Sequence, residues 1–296
     1  MSLKDKFTGT GIAIVTPFNA DKSIDWECFR KLINFWIDGG VEYLVALGTT
    51  GESATIHGDE KQQVLSFLKE VNAGRLPIVA GIGGNDTHEI LEAFKTFDLT
   101  GYDAILSVSP YYNRPNPEGI FQHYKMLNEK TPLPIIMYNV PSRTGQNVTA
   151  ETQIRIANEF KNIFATKEAS CNFDQVMQII KYKPDHFMVI SGDDGITLPM
   201  IACGGDGVIS VVANAYPKEF SDMVRLCLAG KFTDARKLHY KYIDIINSLF
   251  VEGSPGGVKA YLSEMGLCKN AVRLPVWPVS ERHLEKIRGL IKNLNS

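Results

Sequence analysis

Lys167 directly follows the apolar run Ile163-Phe164-Ala165-Thr166, and this placement is the first chemical signal in the 296-residue sequence. Lysines are almost never fully buried, so a stem that starts at the end of a buried run holds its amine partly out of water. Desolvation disfavours the ammonium and lowers its pKa. A neutral amine attacks a carbonyl carbon to form a Schiff base. The imine can then lose a proton at the adjacent carbon, which leaves an enamine nucleophile. Tyr138 and Tyr112 also stand at or just beyond the ends of apolar runs. They fit a core aromatic role, and equally a proton relay to a nascent imine, above all if a hydroxyl such as Thr49 polarises the phenol. Thr50 and the backbone N–H groups of Gly48-Thr49-Thr50-Gly51 suit a small carboxylate, although the same four residues also make an ordinary turn. Arg143 offers a planar fork for a second carboxylate, and standing alone it would read as an exposed loop arginine.

Eight short apolar runs must position these residues: Gly11–Val15, Tyr43–Leu47, Ile78–Ile82, Ala104–Val108, Ile135–Asn139, Ile163–Thr166, Phe187–Ile190 and Val208–Val212. Most are continuously hydrophobic, as parallel strands covered on both faces are. Between them lie helical stripes, among them Trp26, Phe29, Leu32, Ile33, Trp36 and Ile37. Asn116-Pro117 reads as a helix N-cap with proline at the first helical position. This alternation predicts an α/β chain folded as a (β/α)₈ TIM barrel over residues 1–229. An open doubly wound sheet fits less well, because Gly81-Ile82-Gly83-Gly84 is followed by Asp86 where a dinucleotide-binding loop needs its last glycine. From Phe232 to Phe250 the pattern is one long helical stripe, which predicts a C-terminal helical appendix over residues 230–296. In a barrel, chemistry sits where strands end and βα loops begin, and Lys167, Tyr138, Thr49, Tyr112 and Arg143 all fall there.

The composition narrows the function classes. With 31 basic and 33 acidic residues, the net charge of −2 gives no basic excess for nucleic acid. No run approaches a membrane span, and the first nine residues lack the apolar core of a signal peptide. Five cysteines without a C-x-x-C pair fit a reduced, cytoplasmic chain. Cys171, near Lys167, reads as a small packed side chain. The six histidines are dispersed, so a histidine-clustered metal site is not expected, and with neither nucleotide-binding loop pattern in the chain no cofactor is expected.

Together Gly48-Thr49-Thr50-Gly51-Glu52, Tyr111-Tyr112-Asn113, Tyr138-Asn139-Val140-Pro141-Ser142-Arg143-Thr144, Lys167-Glu168-Ala169 and Ser191-Gly192-Asp193-Asp194 resemble the dihydrodipicolinate synthase family. The resemblance runs essentially end to end. It implies a metal-free condensation in which pyruvate forms a Schiff base on Lys167 and the enamine attacks L-aspartate 4-semialdehyde. It further implies that Tyr138 shuttles protons with Thr49 and Tyr112, the latter lent across a dimer interface. By the same resemblance Thr50 holds the pyruvate carboxylate, Arg143 binds the semialdehyde carboxylate, and the backbones of Gly192 and Ile209 line the pocket. A homotetramer built as a dimer of dimers is implied, with no nucleic-acid or membrane partner. Ser53, Ala54, Asn85, Glu89 and Tyr111 match the family's allosteric lysine pocket. Gly58 and Lys61 replace the histidines of lysine-sensitive members, so weak or absent inhibition is expected.

N-acetylneuraminate lyase is the nearest alternative, since it shares barrel, lysine and tyrosine. Arg143 and the Thr49-Thr50 pair favour a short carboxylate-bearing aldehyde over a polyol sugar. A catalytically silent keto-acid sensor would usually lack the nucleophile or relay, and both sets of residues are present here.

Overall fold

The protein is described by a computed structural model covering residues 2–294. Eight parallel strands close into a barrel in sequence order, β1 pairing with both β2 and β8. They are β1 (Gly9–Ala13), β2 (Tyr43–Ala46), β3 (Ile78–Gly81), β4 (Ala104–Val108), β5 (Ile135–Asn139), β6 (Ile163–Glu168), β7 (Met188–Ser191) and β8 (Gly207–Ser210). The (β/α)₈ expectation is therefore met, with end shifts of one or two residues at six strands, the larger of them at β1, β6 and β8. β1 starts two residues early, β8 stops at Ser210 because Val212–Asn214 turns into a 3₁₀ helix, and β6 runs on through Lys167 and Glu168.

Two apolar layers hold the barrel. Strand side chains alternate, so that on β2 Tyr43 and Val45 fill the barrel interior while Leu44 and Ala46 face the surrounding helices. The helix stripes supply the other half of the outer layer: Phe29, Leu32, Ile33 and Trp36 from the helix Trp26–Asp38, and Ile120, Phe121, Tyr124 and Leu127 from Pro117–Lys130. The latter starts as expected, with Asn116 accepting from the Gly119 N–H and proline in the first turn.

A short helix, Leu3–Phe7, was not foreseen. Ser2 and Asp5 form its capping box, and Phe7 closes the N-terminal end of the barrel, edge-on to Tyr43 at 5.1 Å and tilted against Phe164 at 5.3 Å. Beyond Ala229 the chain is helical, with Phe232–Ser248, Gly256–Glu264 and Glu281–Leu294. Among the described residues no helix is long and apolar enough to cross a membrane.

Candidate active site

A register irregularity aims Lys167 into the barrel. Ile135 of β5 pairs with Ile163 of β6, but Ile136 pairs with Ala165, so one extra residue is accommodated in β6. Phe164 and Ala165 consequently both belong to the interior layer. Strict alternation from Phe164 would have turned Lys167 outward. After the bulge, Lys167 lies in register with inward-facing Tyr138, and Glu168 with Asn139 on the outer face. Bulges beside active sites commonly re-aim one side chain in this way.

Lys167 is only 5% exposed. Burial holds its amine pKa down at about 8; Asp194 opposes that shift and Arg143 adds to it. Its Nζ stands 4.3 Å from the centre of the Tyr138 ring. Tyr138 is itself buried, which pushes its phenol up to about 12, with Arg143 pulling down and Asp193 pushing up. Gly192 makes room for the lysine. A Cβ at that position would lie 2.7 Å from Ala169 Cβ and 3.2 Å from both Cγ and Cε of Lys167. Ile209 is buried in the same interior layer as Tyr138.

Two carboxylates flank the lysine, and neither role was assigned from the sequence. Asp194 is buried, which raises its pKa to about 6 despite hydrogen bonds from the Val212 N–H (2.8 Å) and the Val211 N–H (3.0 Å). Glu168 is also fully buried. It accepts from the side-chain amides of Asn139 (3.0 Å), Gln153 (2.7 Å) and Gln175 (3.1 Å) and from the Ser170 N–H (2.7 Å). The three side-chain amides come from β5 and from the helices Ala150–Glu159 and Phe173–Tyr182, so Glu168 fastens the lysine-bearing end of β6 to its neighbours. An acidic residue beside a candidate nucleophile was the available signal. Its amide partners lie too far apart in sequence to be paired by inspection.

The substrate-binding candidates sit on two loops. Thr50 is buried and Thr49 exposed in the turn after β2, where the Glu52 N–H donates to the Thr49 carbonyl at 3.0 Å. Arg143 is exposed on the short helix Pro141–Thr144 that follows β5. Thr49 and Arg143 line one cavity together with Ser53, Ala54, Lys61 and Tyr111. A second cavity joins Tyr138 to Ser53, Lys61 and Glu89. The allosteric candidates thus lie close to the reaction side of the barrel. Asn85 is placed by its carbonyl, which accepts from the Asn113 side chain at 2.8 Å. Gly58 lines neither cavity.

Tyr112 is not brought to the site within one chain. It is 88% exposed and adopts a left-handed φ of 71°, an uncommon conformation for a bulky residue. Among the described residues no hydrogen bond joins Tyr138 to Thr49 or Tyr112. Cys171 is exposed as a residue, and partial desolvation of its thiol, with Asp193 and Glu168 nearby, raises its pKa to about 11. The expectation of a packed cysteine is thereby corrected: Cys171 lies in the loop between β6 and the helix Phe173–Tyr182, where its side chain is left exposed.

A closed parallel barrel that delivers a desolvated lysine beside a tyrosine at the C-terminal end of β6 defines a lyase of the Schiff-base, pyruvate-dependent aldolase class. The chain belongs to the dihydrodipicolinate synthetase family, whose sequence profile matches residues 6–294. It is 53% identical to the 4-hydroxy-tetrahydrodipicolinate synthase of Flavobacterium psychrophilum, over 98% of this chain and 99% of that one. The crystal structure of a dihydrodipicolinate synthase from Thermotoga maritima superposes with a TM-score of 0.95 at 40% identity, covering 98% of this chain and 99% of that one. A structure described as a monomeric dihydrodipicolinate synthase variant gives 0.95 at 40% identity, over 99% and 98% of the two chains.

Proposed function

We propose that this chain is a 4-hydroxy-tetrahydrodipicolinate synthase, condensing pyruvate with L-aspartate 4-semialdehyde on the diaminopimelate route to lysine. The observation that carries the reading is the buried Lys167 amine, held near a pKa of about 8 beside the Tyr138 ring. At pH 7 roughly a tenth of such an amine is neutral, against about 0.03% for an unperturbed lysine. Lys167 attacks the pyruvate keto carbon, and loss of water gives the imine. Removal of a methyl proton gives the enamine, whose carbon attacks the aldehyde. Ring closure by the substrate amine then displaces Lys167.

Tyr138 moves protons at the lysine nitrogen and the developing hydroxyl. Thr49 completes the relay, together with Tyr112 of a second copy, in keeping with the exposure of Tyr112 in the single chain. Thr50 and nearby N–H groups hold the pyruvate carboxylate, and the Gly192 and Ile209 backbones shape the pocket. Arg143 binds the semialdehyde carboxylate. We place the enzyme in the cytoplasm as a homotetramer formed by pairing of dimers. That one relative is singled out as a monomeric variant supports association as the usual state of such chains.

Lys61 lines both cavities that hold the allosteric candidates Ser53, Ala54, Glu89 and Tyr111. Its charge repels a cationic effector, so initial rates should change little on addition of lysine. Potent inhibition at low lysine concentration would overturn that reading.

A coupled assay tests the substrate assignment. Pyruvate with aspartate semialdehyde should turn over, and N-acetylneuraminate should not be cleaved. Turnover of the sugar alone would replace the proposal with the lyase reading. Arg143→Ala should cripple condensation and leave pyruvate capture largely intact; equal loss of both would remove the arginine from its assigned role.

A further inference from the structure

The carboxylate-binding turn after β2 is gripped from the far end of the chain. Glu52, two residues beyond Thr50, is buried and holds a left-handed φ of 57°. Its Oε1 lies 2.5 Å from Lys259 Nζ, and both side chains are almost wholly removed from solvent. Its Oε2 accepts the Arg273 N–H at 2.9 Å. Lys259 also donates to the Ala271 carbonyl at 2.9 Å and stands 4.0 Å from the centre of the Phe18 ring. Arg273 extends the grip, donating to the Thr55 carbonyl at 2.8 Å and to both oxygens of Glu60 at 2.6 and 2.7 Å. Ser254, Pro255, Pro275 and Val276 of the same C-terminal stretch line the cavity that holds Thr49 and Arg143.

A buried ion pair is weak evidence for stability, since apolar residues of similar volume often serve as well. Its geometry is better explained by what it fixes. Glu52 shares a tight turn with Thr49 and Thr50, and the Glu52 N–H is bonded to the Thr49 carbonyl. Shifting the carboxylate therefore shifts the turn.

We infer that Glu52 and Lys259 are positioning residues, which lock the Thr49–Thr50 turn in the conformation that receives the pyruvate carboxylate and make the C-terminal segment a working wall of the active site. This rests on the proposed pyruvate chemistry. The pair acts through the threonines and touches no reacting atom. Displacement of a binding group by about 1 Å can cost up to 100-fold.

The test compares Lys259→Met with Ile287→Ala, a fully buried residue of the last helix chosen to loosen the same segment without touching the turn. Both are assayed where circular dichroism shows a native fold. Lys259→Met should raise the KM for pyruvate by about tenfold or more with a much smaller change in kcat, the pattern of lost ground-state binding. Ile287→Ala should leave that KM within about twofold of wild type. Should Lys259→Met not fold, Glu52→Gln, which keeps an acceptor for the Arg273 N–H, is read in the same way. An unchanged pyruvate KM in the folded pair variant, or an equal rise in Ile287→Ala, overturns the inference. Wild-type protein that forms no borohydride-stable pyruvate adduct overturns the proposed chemistry and this inference with it. An adduct in wild type together with an unchanged variant KM overturns the inference alone.

Discussion

Lys167 and Tyr138 sit directly opposite one another on adjacent strands, with the amine nitrogen 4.3 Å from the centre of the phenol ring. Because the contact is to the ring and not the hydroxyl, the two roles of the tyrosine separate. The ring faces the lysine amine, and the hydroxyl is left for proton transfer. Tyr138→Phe should preserve the fold and the lysine's environment while lowering kcat about 100-fold or more, the scale of general acid–base catalysis. Pre-steady-state and steady-state rates compared with wild type would check this; a variant of near-normal kcat removes the hydroxyl from the mechanism.

The pH dependence follows from the lysine. Its folded pKa of about 8 lies below the unfolded 10.5. The neutral amine is thus favoured by folding: this contribution to stability is fully present above about 10.5 and lost as pH falls through about 8. At pH 7 the buried ammonium costs about 3 kcal/mol at most. Lys167→Met should therefore unfold at a higher temperature than wild type at pH 7, and the gap should close towards pH 10. Calorimetry across that range measures it, and a variant of equal or lower Tm at pH 7 would contradict the burial argument.

Asp194 sets the lysine's upper limit, because its charge raises the Lys167 pKa. The Asp194 carboxyl, raised by burial to about 6, is itself charged at the pH where the amine titrates. Asp194→Asn retains an acceptor for the Val211 and Val212 N–H groups. It should move the midpoint of the rate of pyruvate imine formation to lower pH, with both profiles still rising with pH. A shift to higher pH would mean that Asp194 does not act on the amine by its charge.

Gly192 is required by space. An added methyl would meet Ala169 at 2.7 Å and the Lys167 stem at 3.2 Å, so Gly192→Ala should push the amine off its line and slow imine formation by about tenfold or more. Stopped-flow rates of adduct formation with pyruvate, alongside a thermal melt, would show whether this loss occurs in folded protein. An unchanged rate would place the lysine further from this backbone.

The barrel was legible because eight apolar runs alternate with amphipathic stripes, a pattern that local chemistry writes directly into the sequence. The direction of Lys167 was not. It depends on a one-residue bulge between β5 and β6, which leaves no mark on hydrophobic periodicity. Phe7 was hidden for a related reason, since a five-residue helix shows no period, and its value lies in capping an interior built by residues far away. Lys259 did carry a signal: it is the one charged residue within Gly256-Gly257-Val258-Lys259-Ala260-Tyr261-Leu262, all of them buried. Only the fold discloses that its partner is Glu52, 207 residues earlier. Tyr112 is the complementary case: it is exposed in the single chain, and its proposed place in the relay calls for a second copy.

The most direct test of the central claim is to incubate the protein with pyruvate, reduce it with borohydride and map the adduct by mass spectrometry. The account predicts a single covalent pyruvate-derived modification on Lys167, forming faster as pH rises towards about 8 and absent in Lys167→Met. No adduct, or an adduct on another lysine that persists in that variant, would contradict it.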